Sequence, residues 1–172
     1  MFYNVRGDQR SSLDGIQQEL DKVLQNLEAT EDDGQGFQGA VRRLVREMEN
    51  GWGIKSVVDL PKEPNLPMDA TNIHLFRILQ EALRNITRHA EASLVRMQII
   101  IQEGRITNMI IKDNGIGFAK GKWSSNRSQG QGLQNMEDRT ALLGGKMRIV
   151  SRPGKGAVLS FMFPLPIKPE LS

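Results

Sequence analysis

The chain has 172 residues, no cysteine, two histidines, 38% hydrophobic residues, 25% charged residues and a formal net charge of +3. These values suit one globular domain with a small appendage, and they exclude a disulfide framework, a thiolate metal site and a multi-histidine metal site. The mild charge is spread along the chain, which argues against a nucleic-acid binder. No apolar run resembles a signal peptide or a membrane span, so we expect a cytoplasmic chain. A longer protein that contains this chain can still be membrane-anchored.

The first third of the chain predicts two helices and a short strand. Residues 11–29 repeat apolar positions every three or four residues, which predicts an amphipathic helix that the acidic, glycine-containing stretch behind it ends. A second helix is predicted over 36–51, closed by Gly51 and Gly53. A strand at 54–60 and a loop with three prolines come after it.

The rest of the chain mixes helices and strands without strict alternation. The elements are a long helix at 70–90, strands at 93–102 and 105–113, a glycine-rich polar loop at 114–132, a helix at 133–145 with a Gly-Gly stop, and strands at 146–151 and 157–166. The polar loop has the composition of a mobile segment. This order predicts an α+β layer rather than a doubly wound parallel sheet.

The long helix carries a polar stripe beside its apolar one. Glu81, Asn85, Arg88 and His89 are spaced so that they share one helix face. The stripe fits a solvated face with paired charges. It also fits a site in which the amide oxygen binds Mg²⁺, the cations meet phosphate oxygens, and the carboxylate positions or deprotonates an attacking group.

The glycines pose a similar choice. In "IIKDNGIGF" at 110–118, the Asn-Gly pair between apolar runs fits a hairpin turn, while a carboxylate followed by two spaced glycines fits a loop that something approaches closely. Two further Gly-x-Gly pairs occur at 130–132 and 154–156. None of them has the spacing of a P-loop or of a dinucleotide fingerprint.

The order and spacing of these motifs resemble a known family. "LQEALRNITRHAEAS" resembles the N box of the sensor histidine kinases, "IKDNGIGF" their G1 box, and "GQGLQNMEDRTALLGGKMRIVSRPGKGAVLSFMFP" their G2 box together with the segment behind it. The resemblance covers about residues 36–166. It is strongest to the nitrate-sensor-like and desaturase-regulating subgroup, because "GI", a strand and "LP" precede the N box here too.

The resemblance implies the GHKL, or Bergerat, fold. This is an α+β two-layer sandwich in which helices cover one face of a mixed sheet and ATP lies between the layers under a mobile lid, here at 119–131. The implied organisation is part of a dimerisation-hairpin helix or a linker at 1–33, the ATP-binding catalytic domain at 34–167, and a tail at 168–172.

The resemblance also implies roles for individual residues. Asp113 would accept a hydrogen bond from the adenine amino group, Asn85 would bind the Mg²⁺ that bridges the phosphates, and Glu81 would be a catalytic base or an orienting group. The remaining binding positions would be Gly115, Ile116 and Gly117 around the adenine, and Arg88, His89, Gly130, Gln131, Gly132 and Leu133 against the phosphates.

The chain departs from the family pattern in three places. Gln131 stands where this subgroup often has histidine, Ala157 stands where the family often has threonine, and no histidine precedes His74. The phospho-accepting histidine would therefore lie in a dimerisation domain elsewhere in the kinase or in trans. The implied partners are that domain and a downstream response regulator, with a possible homodimer of the full-length protein and no nucleic acid. The alternatives are an anti-sigma-factor-type serine kinase of the same fold and a non-enzymatic module switched by nucleotide.

Overall fold

A computed structural model describes residues 35–119 and 127–165, with backbone alone at 127–130. The expected helix at 11–29, most of the expected lid and the tail lie outside these residues. The described elements are α1 (Gly36–Trp52), β1 (Lys55–Asp59), α2 (Ala70–His89), β2 (Leu94–Gln102), β3 (Arg105–Asp113), α3 (Arg127–Leu142), β4 (Lys146–Ser151) and β5 (Ala157–Met162).

The five strands form one mixed sheet in the order β1-β2-β3-β5-β4. β1 runs parallel to β2, and the other neighbours are antiparallel. Burial alternates along the central strands, so one face of the sheet enters the core; its buried residues include Val95, Met97, Ile99, Met109, Ile111, Leu159 and Phe161. The α+β class and the GHKL-type arrangement expected from the sequence are confirmed.

The predicted apolar helix faces supply the other half of the core. α1 buries Phe37, Val41, Val45 and Met48, while Leu44 on the same predicted face stays partly accessible. α2 buries Leu75, Leu79, Ala82, Leu83 and Ile86. Both sets repeat every three or four residues, as an amphipathic helix against a sheet requires.

The helix ends follow from local chemistry. α1 ends at Gly53, which takes the left-handed conformation at φ 66° and donates its backbone N–H to the Glu49 carbonyl. α2 begins after Asp69, whose side chain accepts a hydrogen bond of 2.8 Å from the Asn72 backbone N–H. Such an N-cap contributes about 1 kcal/mol to stability.

The proline-rich loop before α2 is fastened to α1 by a buried glutamine. Gln38 donates from its amide nitrogen to the Pro64 carbonyl at 2.6 Å and accepts from the Leu66 N–H at 2.9 Å. The Phe37 N–H donates to the Leu66 carbonyl at 2.8 Å. A polar side chain that is 2% exposed is tolerated here because both ends of its amide are satisfied.

α3 begins earlier than the sequence pattern predicts. It starts at Arg127 rather than at Leu133, so residues 127–131, which were expected to belong to the lid, are helical. Apolar periodicity could not place this start, because the six residues from Arg127 to Gly132 are all charged, polar or glycine. The Gly-Gly stop is confirmed: α3 ends at Leu142, and Gly144 lies at φ 69°.

Several element ends meet at one edge of the sheet. Asp113 is the last residue of β3 and pairs with Val95 near the start of β2. Ala157, the first residue of β5, donates a hydrogen bond to the same Asp113. α2 ends at His89, just before β2. The fold therefore brings the N box, the G1 stretch and the β4–β5 turn to this edge.

Candidate functional site

Asp113 is a buried carboxylate at the end of β3, with 4% of its surface exposed. One oxygen accepts the Gly115 N–H at 2.8 Å, and the other accepts the Ala157 N–H at 3.2 Å. Burial raises the pKa of this carboxyl group, and the two backbone hydrogen bonds oppose the rise. The fold thus holds a hydrogen-bond acceptor in a fixed orientation at the sheet edge.

The glycines around Asp113 are required by contacts between backbones. A Cβ on Gly115 would overlap the Ala90 carbonyl at the end of α2, and a Cβ on Gly156 would overlap the carbonyl of Asp113. Gly117, at φ 60°, would place a Cβ against the Arg152 and Gly156 carbonyls. These three positions therefore need glycine even without a ligand.

Backbone hydrogen bonds hold the G1 loop in this place. The Ile116 N–H donates to the Ala90 carbonyl at 2.7 Å, and the Gly154 N–H donates to the Ile116 carbonyl at 2.6 Å. The Ile116 side chain remains 48% exposed. The loop is thus anchored through its backbone and presents an apolar side chain outward.

Asn114 has a structural role at the site that the sequence pattern did not reveal. Its side-chain oxygen accepts from the Ser93 and Leu94 N–H groups at 3.0 and 2.9 Å, and its amide nitrogen donates to the Ser93 hydroxyl at 2.9 Å. It therefore ties the end of β3 to the start of β2. The hairpin interpretation of Asn114-Gly115 is wrong, since α3 and β4 intervene before β5, which pairs with β3.

The polar stripe of α2 divides into a covered part and an exposed part. Gly132 of α3 lies directly over Glu81 and Asn85: a Cβ on Gly132 would overlap the Glu81 carboxylate and lie 3.3 Å from the Asn85 amide nitrogen. Arg88 and His89 are exposed in the last turn of α2. The structure therefore brings Glu81, Asn85 and Gly132 together.

Asn85 carries an unusual buried amide. Among the described residues, its amide nitrogen is buried without a hydrogen-bond partner. Leaving such a group unpaired costs about 1–3 kcal/mol, which makes the position a candidate for contact with a ligand. Asn85 and Ala90 are five residues apart, or about 7.5 Å along the helix axis. α2 thus links the amide to the Asp113 end of the site.

The side chains at this end of the site suit a magnesium ion that is bound mainly by oxygens of a phosphate ligand and of water. The described residues hold no group of three or more histidine, cysteine, aspartate or glutamate side chains arranged to bind a metal. Mg²⁺ in nucleotide sites commonly uses one or two protein oxygens and completes its shell with phosphates and water. The Asn85 amide oxygen would supply one such ligand if the ion bound here.

The segment Gly130–Leu133 lies in the first two turns of α3. Gln131 is exposed, Gly132 is buried and Leu133 is partly buried. Because the helix begins at Arg127, the free N–H groups of its first turn lie before Gln131. An anion facing this helix start would meet the N–H groups of residues around 127–130, in addition to the helix dipole.

Comparison with known proteins identifies the family. The model of the histidine kinase-, DNA gyrase B- and HSP90-like ATPases matches residues 70–167. The chain belongs to this family. The match begins with α2 and runs past β5, so it spans Asp113, Asn85 and all three Gly-x-Gly pairs.

Within this ATPase family the chain is similar to sensor histidine kinases. It is 34% identical over 136 residues to the histidine-protein kinase/phosphatase UhpB of Salmonella typhimurium, covering 78% of this chain and 26% of that protein. It is 30% identical over 149 residues to the sensor histidine kinase LiaS of Bacillus subtilis, covering 87% of this chain and 40% of that protein. The chain therefore spans less than half of these relatives.

Solved structures support the same fold. The histidine kinase domain of the Erythrobacter litoralis blue-light activated kinase EL346 aligns with a TM-score of 0.63 at 16% identity, over 84% of this chain and 69% of that one. The Acinetobacter baumannii histidine kinase AdeS aligns with a TM-score of 0.56 at 16% identity, over 94% of this chain and 86% of that one. In the described part of this ATPase-family chain, no helix is long and apolar enough to cross a membrane.

Proposed function

We propose that this chain is the ATP-binding catalytic domain of a two-component sensor histidine kinase. It binds Mg-ATP and donates the γ-phosphate to a histidine in a dimerisation domain, from which a response regulator receives it. The observation that carries the proposal is the buried Asp113 carboxylate, fixed by two backbone N–H groups between glycine turns in a chain of this ATPase family.

In this proposal Asp113 reads the adenine. A fixed acceptor suits the exocyclic amino group of adenine, and guanine presents a carbonyl oxygen at the corresponding place. Gly115, Ile116 and Gly117 form the adjoining wall, where the exposed Ile116 side chain offers an apolar contact to a base. Burial raises the pKa of Asp113, while the two backbone N–H groups favour the charged carboxylate that accepts from the base.

The phosphates lie in this proposal between α2 and the start of α3. Asn85 would hold Mg²⁺ through its amide oxygen, and Arg88 and His89 meet phosphate oxygens. The free N–H groups at 127–130 face the anion, with Gln131, Gly132 and Leu133 in the turn behind them. Bound Mg²⁺ neutralises charge on the transferring phosphoryl group. Glu81 lies beside this end, where it orients or deprotonates the attacking imidazole.

Asn85→Ala is expected to weaken Mg-ATP binding strongly and to remove most of its dependence on magnesium. Calorimetry with and without Mg²⁺ measures this, and the unaltered chain should bind ATP with a Kd of about 1 µM to 1 mM, worth roughly 4–8 kcal/mol. Asn108→Ala is the matched control, because Asn108 lies on the face of β3 opposite Asp113. A chain that binds no ATP at all would refute the proposed function.

Glu81→Gln is expected to leave ATP affinity within about twofold and to slow phosphoryl transfer by roughly 10²–10⁴, the range of general acid–base catalysis. The assay follows labelled γ-phosphate from ATP to the dimerisation domain that completes this kinase. Arg84→Gln is the control, because it breaks the 3.1 Å Arg84–Glu81 ion pair while keeping the carboxylate. Equal transfer rates in Glu81→Gln and the unaltered chain would remove Glu81 from catalysis.

A further inference from the structure

α3 packs against the rest of the domain through a narrow stripe of buried residues. Over residues 131–142, the buried positions are Gly132, Met136 and Thr140, one on each successive turn. The Thr140 hydroxyl is turned inward to the Met136 carbonyl at 2.6 Å. Met136 is thus the one fully buried large apolar side chain in this described stretch. With one large apolar side chain fully buried over 131–142, contacts near the two ends of this stretch also help to set how the helix lies.

Two of the contacts between α3 and α2 lie at opposite ends of their interface. At its start, Gly132 lies against Glu81 and Asn85. Near its other end, Arg139 Nη1 lies 3.2 Å from His74 Nδ1. Because the later residue of α3 meets the earlier residue of α2, the helices are antiparallel. The two contacts are seven residues apart on α3, or about 10 Å, which sets both the register and the tilt.

The chemistry of the second contact is determined by its donor. A guanidinium group has donors and no acceptor, so His74 Nδ1 must be unprotonated and the imidazole carries its proton on Nε2. Burial, and then the Arg139 charge, lower the pKa of His74 and favour this neutral form. The contact is therefore a charge-assisted hydrogen bond from arginine to a neutral imidazole.

We propose that the His74–Arg139 hydrogen bond is a latch that positions the start of α3, with Gly130–Leu133, against Asn85 at the phosphate end of the site. His74 and Arg139 are positioning residues, since they act through α3. The inference rests on the proposed function as an ATP site. At the adenine end, hydrogen bonds of the described residues join Asp113 to Gly115 and Ala157, and Ile116 to Ala90, so the latch is expected to affect mainly the phosphates.

The test compares ATP with adenosine, which lacks phosphates. His74→Leu and Arg139→Met, each in the full chain, are expected to weaken ATP binding about 10-fold, the size expected for one lost hydrogen bond to a charged group, while adenosine affinity stays unchanged. His74→Gln is expected to restore most of the ATP affinity, because its amide oxygen can accept from Arg139. Arg96→Met, on an exposed position of β2, serves as the control.

The outcomes separate a latch from a general structural role. Equal losses for ATP and adenosine would mean that the pair only stabilises the fold, and unchanged ATP affinity would mean that it positions nothing. Either result overturns the proposal. If His74→Leu fails to fold, Arg139→Met, which alters a side chain that is also only partly buried, carries the same comparison.

A second measurement needs no nucleotide. Amide hydrogen exchange of the empty chain is expected to become about 10-fold faster over residues 131–142 in His74→Leu, with no change in β2 and β3. If the unaltered chain binds no ATP, the proposed function fails while this measurement still tests the latch. Unchanged exchange over 131–142 would overturn it.

Discussion

Asp113→Asn is expected to weaken ATP binding by the chain severely. The carboxylate gives one oxygen to the Gly115 N–H and the other to the Ala157 N–H. An asparagine has a single oxygen, so its NH₂ group must face one of these N–H donors or the adenine amino group. Each unpaired buried donor costs about 1–3 kcal/mol, which predicts a loss of roughly 10- to 100-fold or more by calorimetry.

The control for this substitution is Asp59→Asn. Asp59 also ends a strand, but it is exposed and accepts a hydrogen bond from the Gln98 side chain at 2.8 Å. Its variant should bind ATP like the unaltered chain. Thermal unfolding of Asp113→Asn distinguishes a lost ligand contact from a lost fold. A folded Asp113→Asn chain with full ATP affinity would show that this carboxylate does not read the base.

Elements with a strong periodic pattern could be predicted from the sequence. The stripe Leu75, Leu79, Leu83 and Ile86 identifies α2, and these residues are buried in its core face. The glycine stops were also predictable, because Gly53 and Gly144 take positive φ, which other residues adopt at a cost. Local chemistry determines these features, so a local pattern reveals them.

Contacts between distant parts of the chain could not be predicted in this way. Gln38 bonds to residues more than 25 positions away, Asn114 bonds to Ser93 and Leu94, and Arg139 bonds to His74. Nothing in a local pattern says which polar side chain finds a partner across the fold. The start of α3 escaped prediction for another reason, since the residues from Arg127 to Gly132 include two glycines and show no apolar periodicity.

At the Gly-x-Gly pairs, the backbone is approached closely, as expected, but by groups of the protein itself. The sequence predicts that something approaches the backbone closely at Gly115 and Gly117. In the structure, the groups that approach are carbonyls of Ala90 and Arg152 from the same chain. The glycines are therefore needed to assemble the edge that holds Asp113, which is a requirement prior to any contact with adenine.

This packing predicts a large difference between two glycines of the same turn. Gly154 and Gly156 both have positive φ, at 73° and 70°. A Cβ on Gly154 meets nothing within 4 Å, whereas a Cβ on Gly156 would overlap the Asp113 carbonyl and lie 3.0 Å from its carboxylate oxygen. Gly154→Ala should therefore cost only the left-handed conformation, about 1–2 kcal/mol of unfolding free energy.

Gly156→Ala is expected to cost roughly 3–5 kcal/mol, because the overlap adds to the conformational cost and the backbone of β3 or β5 must shift. Urea unfolding measures both variants. The shift would also move the Ala157 N–H away from Asp113, so ATP affinity should fall in Gly156→Ala and stay unchanged in Gly154→Ala. Equal unfolding free energies in the two variants would show that the turn can relax without disturbing Asp113. The adenine end would then depend on Asp113 and the G1 loop, and its geometry would be independent of the β4–β5 turn.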